Sequence, residues 1–260
     1  AWASRDRRDA LVGSNLAVAV GGRIYLVDQA TGNTIWRFPS GAPLESGSFT
    51  TGVTVTDNLV IAATDNRVVY GIDIKSGEMK WQHLSSERLV AAPAVAGKFL
   101  AIQLGDGSVN VIRQEDGTPV WDAPLRFFNG LVGSVGSAGN NIIVAGGDRN
   151  LYAVDMSSKK IRWQKAFNGL RSDFRPVLNG DQLFVTASDT VTIMSASTGQ
   201  RRKEIRLADV AGTNATYFEG KIAVASRNGL LQVMDELGRP TLKKPFDLGS
   251  QPVSEPVLSK

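Results

Sequence analysis

Four tryptophans, Trp36, Trp81, Trp121 and Trp163, follow one another at intervals of 45, 40 and 42 residues, and each closes the same phrase. The first copies read Asp28-Gln-Ala-Thr31-Gly32-Asn-Thr-Ile-Trp36 and Asp73-Ile-Lys-Ser76-Gly77-Glu-Met-Lys-Trp81. The next two are Arg113-Gln-Glu-Asp116-Gly117-Thr-Pro-Val-Trp121 and Asp155-Met-Ser-Ser158-Lys159-Lys-Ile-Arg-Trp163. A fifth copy keeps Thr198-Gly199 but has Lys203 where the tryptophan stood, and a sixth, Asp235-Glu-Leu-Gly238-Arg-Pro, is degenerate. A phrase returning at this spacing means one supersecondary unit stacked on copies of itself, which constrains a chain more than local propensity does. The repeats end near residues 36, 81, 121, 163, 203 and 243, so residues 1–260 are expected to form a single domain of six repeats.

Within each repeat the hydrophobic period is two. Ile24/Leu26, Val109/Val111 and Leu151/Ala153 share one face, and Tyr25/Val27, Asn110/Ile112 and Tyr152/Val154 the other, which predicts a strand covered on both faces. Another apolar run precedes it in every repeat, joined by tight-turn pairs such as Gly21-Gly22, Asp106-Gly107 and Asn228-Gly229. A short opening segment, for example Ala94-Val95, makes four strands per repeat. The expected fold is all-β: a β-propeller of four-stranded antiparallel blades, with six blades, or part of a seven- or eight-bladed ring. Residues 251–258 resemble an opening strand with no blade after it. They either supply the first strand of the first repeat or start a further blade, since Ala10-Leu11-Val12 also reads as an opening strand.

The phrase has a mechanical reading. Asp28, Asp73 and Asp155 accept hydrogen bonds from the turn that follows, Gly supplies a left-handed residue, and Trp36, Trp81, Trp121 and Trp163 stack on the next blade. These are docking parts, not catalytic ones.

Composition narrows the chemistry. The chain has no cysteine and one histidine, which removes disulfides, thiolate metal sites and histidine-rich catalytic sets. A net charge of +4 is too mild to argue for nucleic acid, and no stretch reaches the roughly 18–20 apolar residues of a membrane-spanning helix. Residues 1–8 contain no apolar signal segment, and the absent initiator Met points to a trimmed chain. His83, with Ser85 and Ser86 near it, reads as a surface histidine in a blade-linking segment, because no carboxylate is placed to orient it. Asp106-Gly107 and Gly146-Gly147-Asp148 read as hairpin turns, and Arg201-Arg202-Lys203 with Arg206 as a solvated outer strand.

Two linkers stand out. Phe-Asn-Gly-Leu occurs at residues 128–131, within Arg126-Phe127-Phe128-Asn129-Gly130-Leu131, and again at 167–170, followed by Arg171-Ser172-Asp173-Phe174-Arg175. Aromatic and arginine residues together at an exposed edge are typical of interface hot spots, whereas the same Phe and Leu tucked between blades would only pack.

The phrase Asp-x-x-[Thr/Ser]-Gly-x-x-x-Trp resembles the quinoprotein-like (PQQ-type) propeller repeat, and four of the six repeats carry it well. Gly52-Val53-Thr54-Val55-Thr56-Asp57-Asn58, Val68-Val69-Tyr70-Gly71-Ile72-Asp73 and Ala145-Gly146-Gly147-Asp148 are similar to blades of the BamB family of outer-membrane β-barrel assembly lipoproteins. That family has eight blades and a lipid-bearing cysteine, where six repeats and no cysteine are found here. In that family, the partner barrel's periplasmic repeats contact two neighbouring linkers, one with a Leu-x-Leu-Arg run and one with Asp-x-Asp. Here Arg126-Phe127-Phe128 replaces the first, and Asp173 followed by Arg175 replaces the second, with a reversal of charge.

The resemblance implies a non-catalytic scaffold, periplasmic or otherwise extracytoplasmic and associated with the outer membrane, with a lipid anchor upstream. It implies a protein partner, such as a barrel-assembly protein, and no cofactor, metal or nucleic acid; a monomer is expected. Phe127, Phe128 and Leu131 would be apolar anchors, and Arg126, Arg171, Asp173 and Arg175 would give orientation and charge complementarity. Two other readings stay open: a ligand-sensing propeller domain of a larger receptor or kinase, and a degenerate quinoprotein dehydrogenase. The last lacks the cysteine pair and acidic cluster such enzymes carry.

Overall fold

Alternating small and branched apolar residues between tight turns leave this chain one economical solution, short antiparallel meanders. The computed structural model describes residues 9–12, as backbone, and 15–256. Among them every regular element is a strand, and the strands form six separate four-stranded antiparallel sheets, the blades of a β-propeller. The chain divides into two units, 1–126 and 127–260, each with three blades.

In the first unit, blade one is Asp9–Val12, Asn15–Val20, Arg23–Asp28 and Thr34–Phe38. Blade two is Thr54–Val55, Leu59–Ala63, Val68–Asp73 and Met79–Leu84. Blade three is Ala94–Ala96, Phe99–Gln103, Ser108–Arg113 and the two-residue Leu125–Arg126. In the second unit, blade four is Leu131–Ala138, Asn141–Gly146, Asn150–Asp155 and Ile161–Ala166. Blade five is Val177–Asn179, Gln182–Ala187, Thr190–Ser195 and Arg201–Arg206. Blade six is Thr216–Phe218, Lys221–Ala225, Leu230–Asp235 and Phe246–Asp247.

Because strand side chains alternate, one strand serves two cores. Val60 and Ala62 pack with Ile24, Trp36 and Phe49 of blade one and its linker, while Ile61 and Ala63 pack with Leu100, Ile102 and Leu104 of blade three. In the second unit, Leu183 and Val185 face Leu151, Trp163 and Phe174, and Phe184 faces Ile222, Val224 and Met234. The expectation of two buried faces in every repeat is corrected in blade six, where Leu231, Gln232 and Val233 are only half-buried, and in blade one. There Ile24 and Leu26 are buried against blade two, and Tyr25 and Val27 are only half-buried.

The recurrent phrase does its work at the third turn of each blade. Asp28 Oδ1 accepts from the amides of Ala30 and Thr31 and from the Thr31 hydroxyl, at 2.8–3.0 Å. Asp73 and Asp155 repeat the pattern with Ser76 and Ser158. The chain steps by a bulge just before each of them, at Leu26/Val27, Gly71/Ile72 and Ala153/Val154. In blade five Ser195 stands at that position, and Asp181 supplies the carboxylate, bonded to Ser195 and to the Ser197 amide.

Three of the tryptophans, each within its own unit, cross to the next blade. Trp36 Nε1 donates to Ile74 O, Trp81 Nε1 to Gln114 O and Trp163 Nε1 to Ala196 O, at 2.8–2.9 Å. Each indole lies against the turn glycine it meets: a Cβ on Gly77, Gly117 or Gly199 would come within 2.6–2.8 Å of the ring. These glycines also sit at φ of +69° to +74°, so Gly is required there twice over. In blade five Lys203 occupies the ladder position of the tryptophan, opposite Ile193, and the buried Ile205 two residues on reaches Gly238 instead.

Blade one takes all four strands from its own repeat, so the reading in which residues 251–258 complete it is overturned. Residues 251–256 lie beside blade six, where Thr216 Oγ1 donates to Pro256 O just as Thr54 Oγ1 donates to Pro93 O at the start of blade three. Val257 and Leu258 lie outside the described residues, as does the segment 1–8.

Candidate functional site

The two Phe-Asn-Gly-Leu linkers precede blades four and five. In each, the leucine pairs with the end of the next blade's second strand, Leu131 with Gly146 and Leu170 with Ala187, and the glycine carbonyl accepts the following amide, of Gly147 or Ser188. They differ upstream. The fourth strand of blade three ends with Arg126 opposite Ser108, five residues before Leu131. That of blade four ends with Ala166 opposite Asn150, four residues before Leu170. The first linker therefore carries one residue more. It is absorbed by a left-handed pair, Asn129 and Gly130, where the second has Gly169 alone.

The consequence falls on the phenylalanines. Phe167 is 4% exposed, within the core of blades four and five, with the Arg201 guanidinium 4.5 Å above its ring. Phe127 lies half-buried against Tyr152, ring centroids 5.2 Å apart, and Phe128 is left 76% exposed. Tyr152 is itself fixed, since its hydroxyl donates to Asp148 in the hairpin of the same blade. Burial together with the adjacent Asp148 carboxylate pushes the Tyr152 phenol up to about 12.

The charged candidates divide in the same way. Arg171 grips Asp173 with two parallel hydrogen bonds of 2.8 Å and donates a third to Ala211 O at 3.0 Å. Its side chain is 18% exposed, so it ties two linkers of its own unit together and does not stand out as an orienting charge. The Asp173 backbone carbonyl accepts from Asn214, a residue buried to 2% exposure, which joins the same tie. Burial works against the Asp173 charge, but Arg171 and then Arg175 hold its carboxyl below the usual range. Arg175 is exposed. In the first unit Arg126, also exposed, pairs with Asp106 at 2.8 Å, and Asp106 in turn accepts from Ser108. Leu131 is half-buried and opens the first strand of blade four; Leu125 and Arg126 form a short strand, where a loop was expected.

His83 is likewise not in a linker. It lies in the fourth strand of blade two, opposite Val69, half-buried. Burial holds its imidazole below the usual histidine range, partly offset by a hydrogen bond to the Gly117 backbone. Ser85 is buried and donates to Arg67 O and Glu87 O, so the two side chains serve local structure. Arg201, Arg202 and Arg206 do occupy an outer strand, held by Ala166 O, Asp181 and Asp189 respectively.

Sequence reasoning did not find Tyr152, Asn214 or Ile205, whose roles depend on partners 25 to 41 residues away in the chain. Among the described residues no three His, Asp or Glu side chains are grouped as metal ligands would be.

A model of the family described as outer membrane protein assembly factor BamB matches residues 20–127 and 105–204. The assembly factor BamB of Yersinia pestis is 21% identical over 258 residues, covering 91% of this chain and 65% of its own length. That of Moranella endobia is 25% identical over 156 residues, 55% of this chain and 39% of its own. The chain thus spans less than two thirds of the length of these relatives. The crystal structure of BamB from Moraxella catarrhalis has a TM-score of 0.64 at 20% identity, covering 90% of this chain and 74% of that one. A computationally designed protein reaches 0.75 at 14% identity, covering 97% and 77%, so these likenesses speak for the fold alone. With repeat phrase, blade topology and a family model spanning residues 20–204 in agreement, the chain belongs to the outer membrane protein assembly factor BamB family.

Proposed function

We propose that this chain is a non-catalytic, protein-binding scaffold that assists assembly of outer-membrane β-barrel proteins, working in the periplasm at the outer membrane. The six blades act as one propeller domain and as a monomer, with a lipid anchor upstream. The observation that carries the reading is Phe128, an aromatic ring 76% exposed in a family whose name is that of an assembly factor. A large apolar side chain held out by a fixed linker is suited to enter a pocket on a partner. Leu131 and Phe127 support it, Arg126 and Arg175 add exposed positive charge, and the Arg171–Asp173 pair holds the second linker in shape.

The test is a crosslinked pull-down from envelope extract, with wild type beside Phe128→Ala/Arg175→Glu. Capture of an outer-membrane barrel-assembly protein by wild type, lost in the double variant with unchanged thermal unfolding, is the expected result. Equal capture by both would overturn the site, and capture of no assembly protein would overturn the function.

A further inference from the structure

Away from the linkers, the second unit contains a groove of about 500 Å³ between the end of blade five and the outer side of blade six. That volume lies within the usual range for small-ligand sites. Two features shape it, one a departure from the repeat and the other shared with blade three, whose outer strand breaks in the same way between Pro119 and Pro124. Blade five has Lys203 where blades one, two and four carry tryptophan, so its junction with blade six is filled by the smaller Ile205. The outer strand of blade six is interrupted by two prolines. Thr241 bonds to Val233 and Phe246 pairs with Leu231, and residues 242–245 between them leave the sheet. Pro240 and Pro245 bracket this loop, each lacking the amide that would continue a ladder.

The lining is amphipathic. Leu207, Met234 and Leu242 supply apolar surface, and Arg206, Lys243 and Lys244 supply positive charge, with no carboxylate among the lining residues. Glu236, on the adjoining turn, is engaged by Tyr217 and Gln182. Gln232 also lines the groove. The Ala208 amide donates to its Oε1 at 3.0 Å, which fixes the side-chain orientation and leaves Nε2 buried with no hydrogen-bond partner.

We propose that this groove binds a carboxylate carried on an apolar body, the chemistry shared by a fatty acid and the free carboxyl end of a polypeptide. The apolar part lies on Leu207, Met234 and Leu242, and the carboxylate is held by Lys243 and Lys244. This site is separate from the linker surface and does not depend on the scaffold reading.

Isothermal titration of the whole chain tests it, with decanoate and decanol as one pair, and acetyl-Leu-Phe and its C-terminal amide as the other. At least one acid is expected to bind, its neutral counterpart about ten-fold more weakly. K243Q/K244Q, which alters two exposed side chains, should bring the acid down to the level of the neutral compound, and Phe128→Ala should leave binding unchanged. The acid that binds more tightly identifies the source. Three results would each overturn the proposal: no binding of either acid at millimolar concentration, equal binding of acid and neutral compound, or wild-type affinity in K243Q/K244Q.

Discussion

The tetrapeptide Phe-Asn-Gly-Leu occurs twice in this chain, and its two copies end in opposite environments. Phe167 is sealed in the core, 4% exposed, and Phe128 stands in solvent, 76% exposed. Composition cannot account for this, because the four residues are the same. The difference is one of length. Three residues separate the last ladder pair from the leucine in the second linker, against four in the first. With the shorter path the phenylalanine follows directly on the strand and turns inward. With the longer, Phe127 takes that place against Tyr152, and Phe128 becomes the spare residue. Side-chain burial in a repeat protein is thus decided by where the ladder ends, as much as by hydrophobicity.

The comparison can be broken most forcefully at the phenylalanines themselves. Phe167→Ala should cost about 3–5 kcal/mol in urea unfolding, as other buried Phe truncations do. Phe128→Ala should fall within about 0.5 kcal/mol of wild type, as surface substitutions do. Similar losses at both positions would mean that Phe128 packs.

The next largest effect is expected at the left-handed residues. Gly169 has φ +76°, and a Cβ there would approach Ser188 Oγ to 2.0 Å, so Gly169→Ala should lose about 2–3 kcal/mol. Asn129, in the longer linker, already holds φ +58° with a side chain, and Asn129→Gly should stay within about 0.5 kcal/mol.

Between these lies the Arg171–Asp173 tie of the second linker. Arg171→Ala should cost about 1–2 kcal/mol near neutral pH, the lower part of the range for charged hydrogen bonds because Asp173 faces water. The native Asp173 carboxyl is held below its ordinary value, so its contribution is full above the unfolded carboxylate range, near 4. It is lost as pH falls through the lower native value. The gap between wild type and Arg171→Ala should therefore close in acid and stay constant from pH 6 to 8. A gap that widens as pH falls would contradict the assignment. The turn carboxylates Asp28, Asp73 and Asp155 are depressed too, so unfolding of the wild type should become easier in the same acid window.

Much of the fold was legible because its determinants are local. The Asp, Thr-Gly and Trp of one phrase act within nine residues, and the indole's partner is the same phrase one repeat on. The candidate surface was legible only as composition. Nothing in the Phe-Asn-Gly-Leu run marks which copy is buried, because that depends on ladder ends more than a repeat-strand away. Arg171 read as an outward charge, whereas Asp173 two residues on and Ala211 forty residues on claim it. His83 read as a linker residue because a strand of alternating exposed and buried positions, Met79–Leu84, looks polar in sequence. Ile205 was hidden because the lost tryptophan is replaced two positions later, out of step with the repeat.

Hydroxyl-radical footprinting of both phenylalanines, with and without the captured assembly partner, tests the central claim most directly. Phe128 should be oxidised rapidly in the free protein and protected in the complex, while Phe167 stays unlabelled in both. Equal oxidation of the two rings in the free chain would contradict the linker-length account, and Phe128 labelled alike with and without partner would contradict its role in binding.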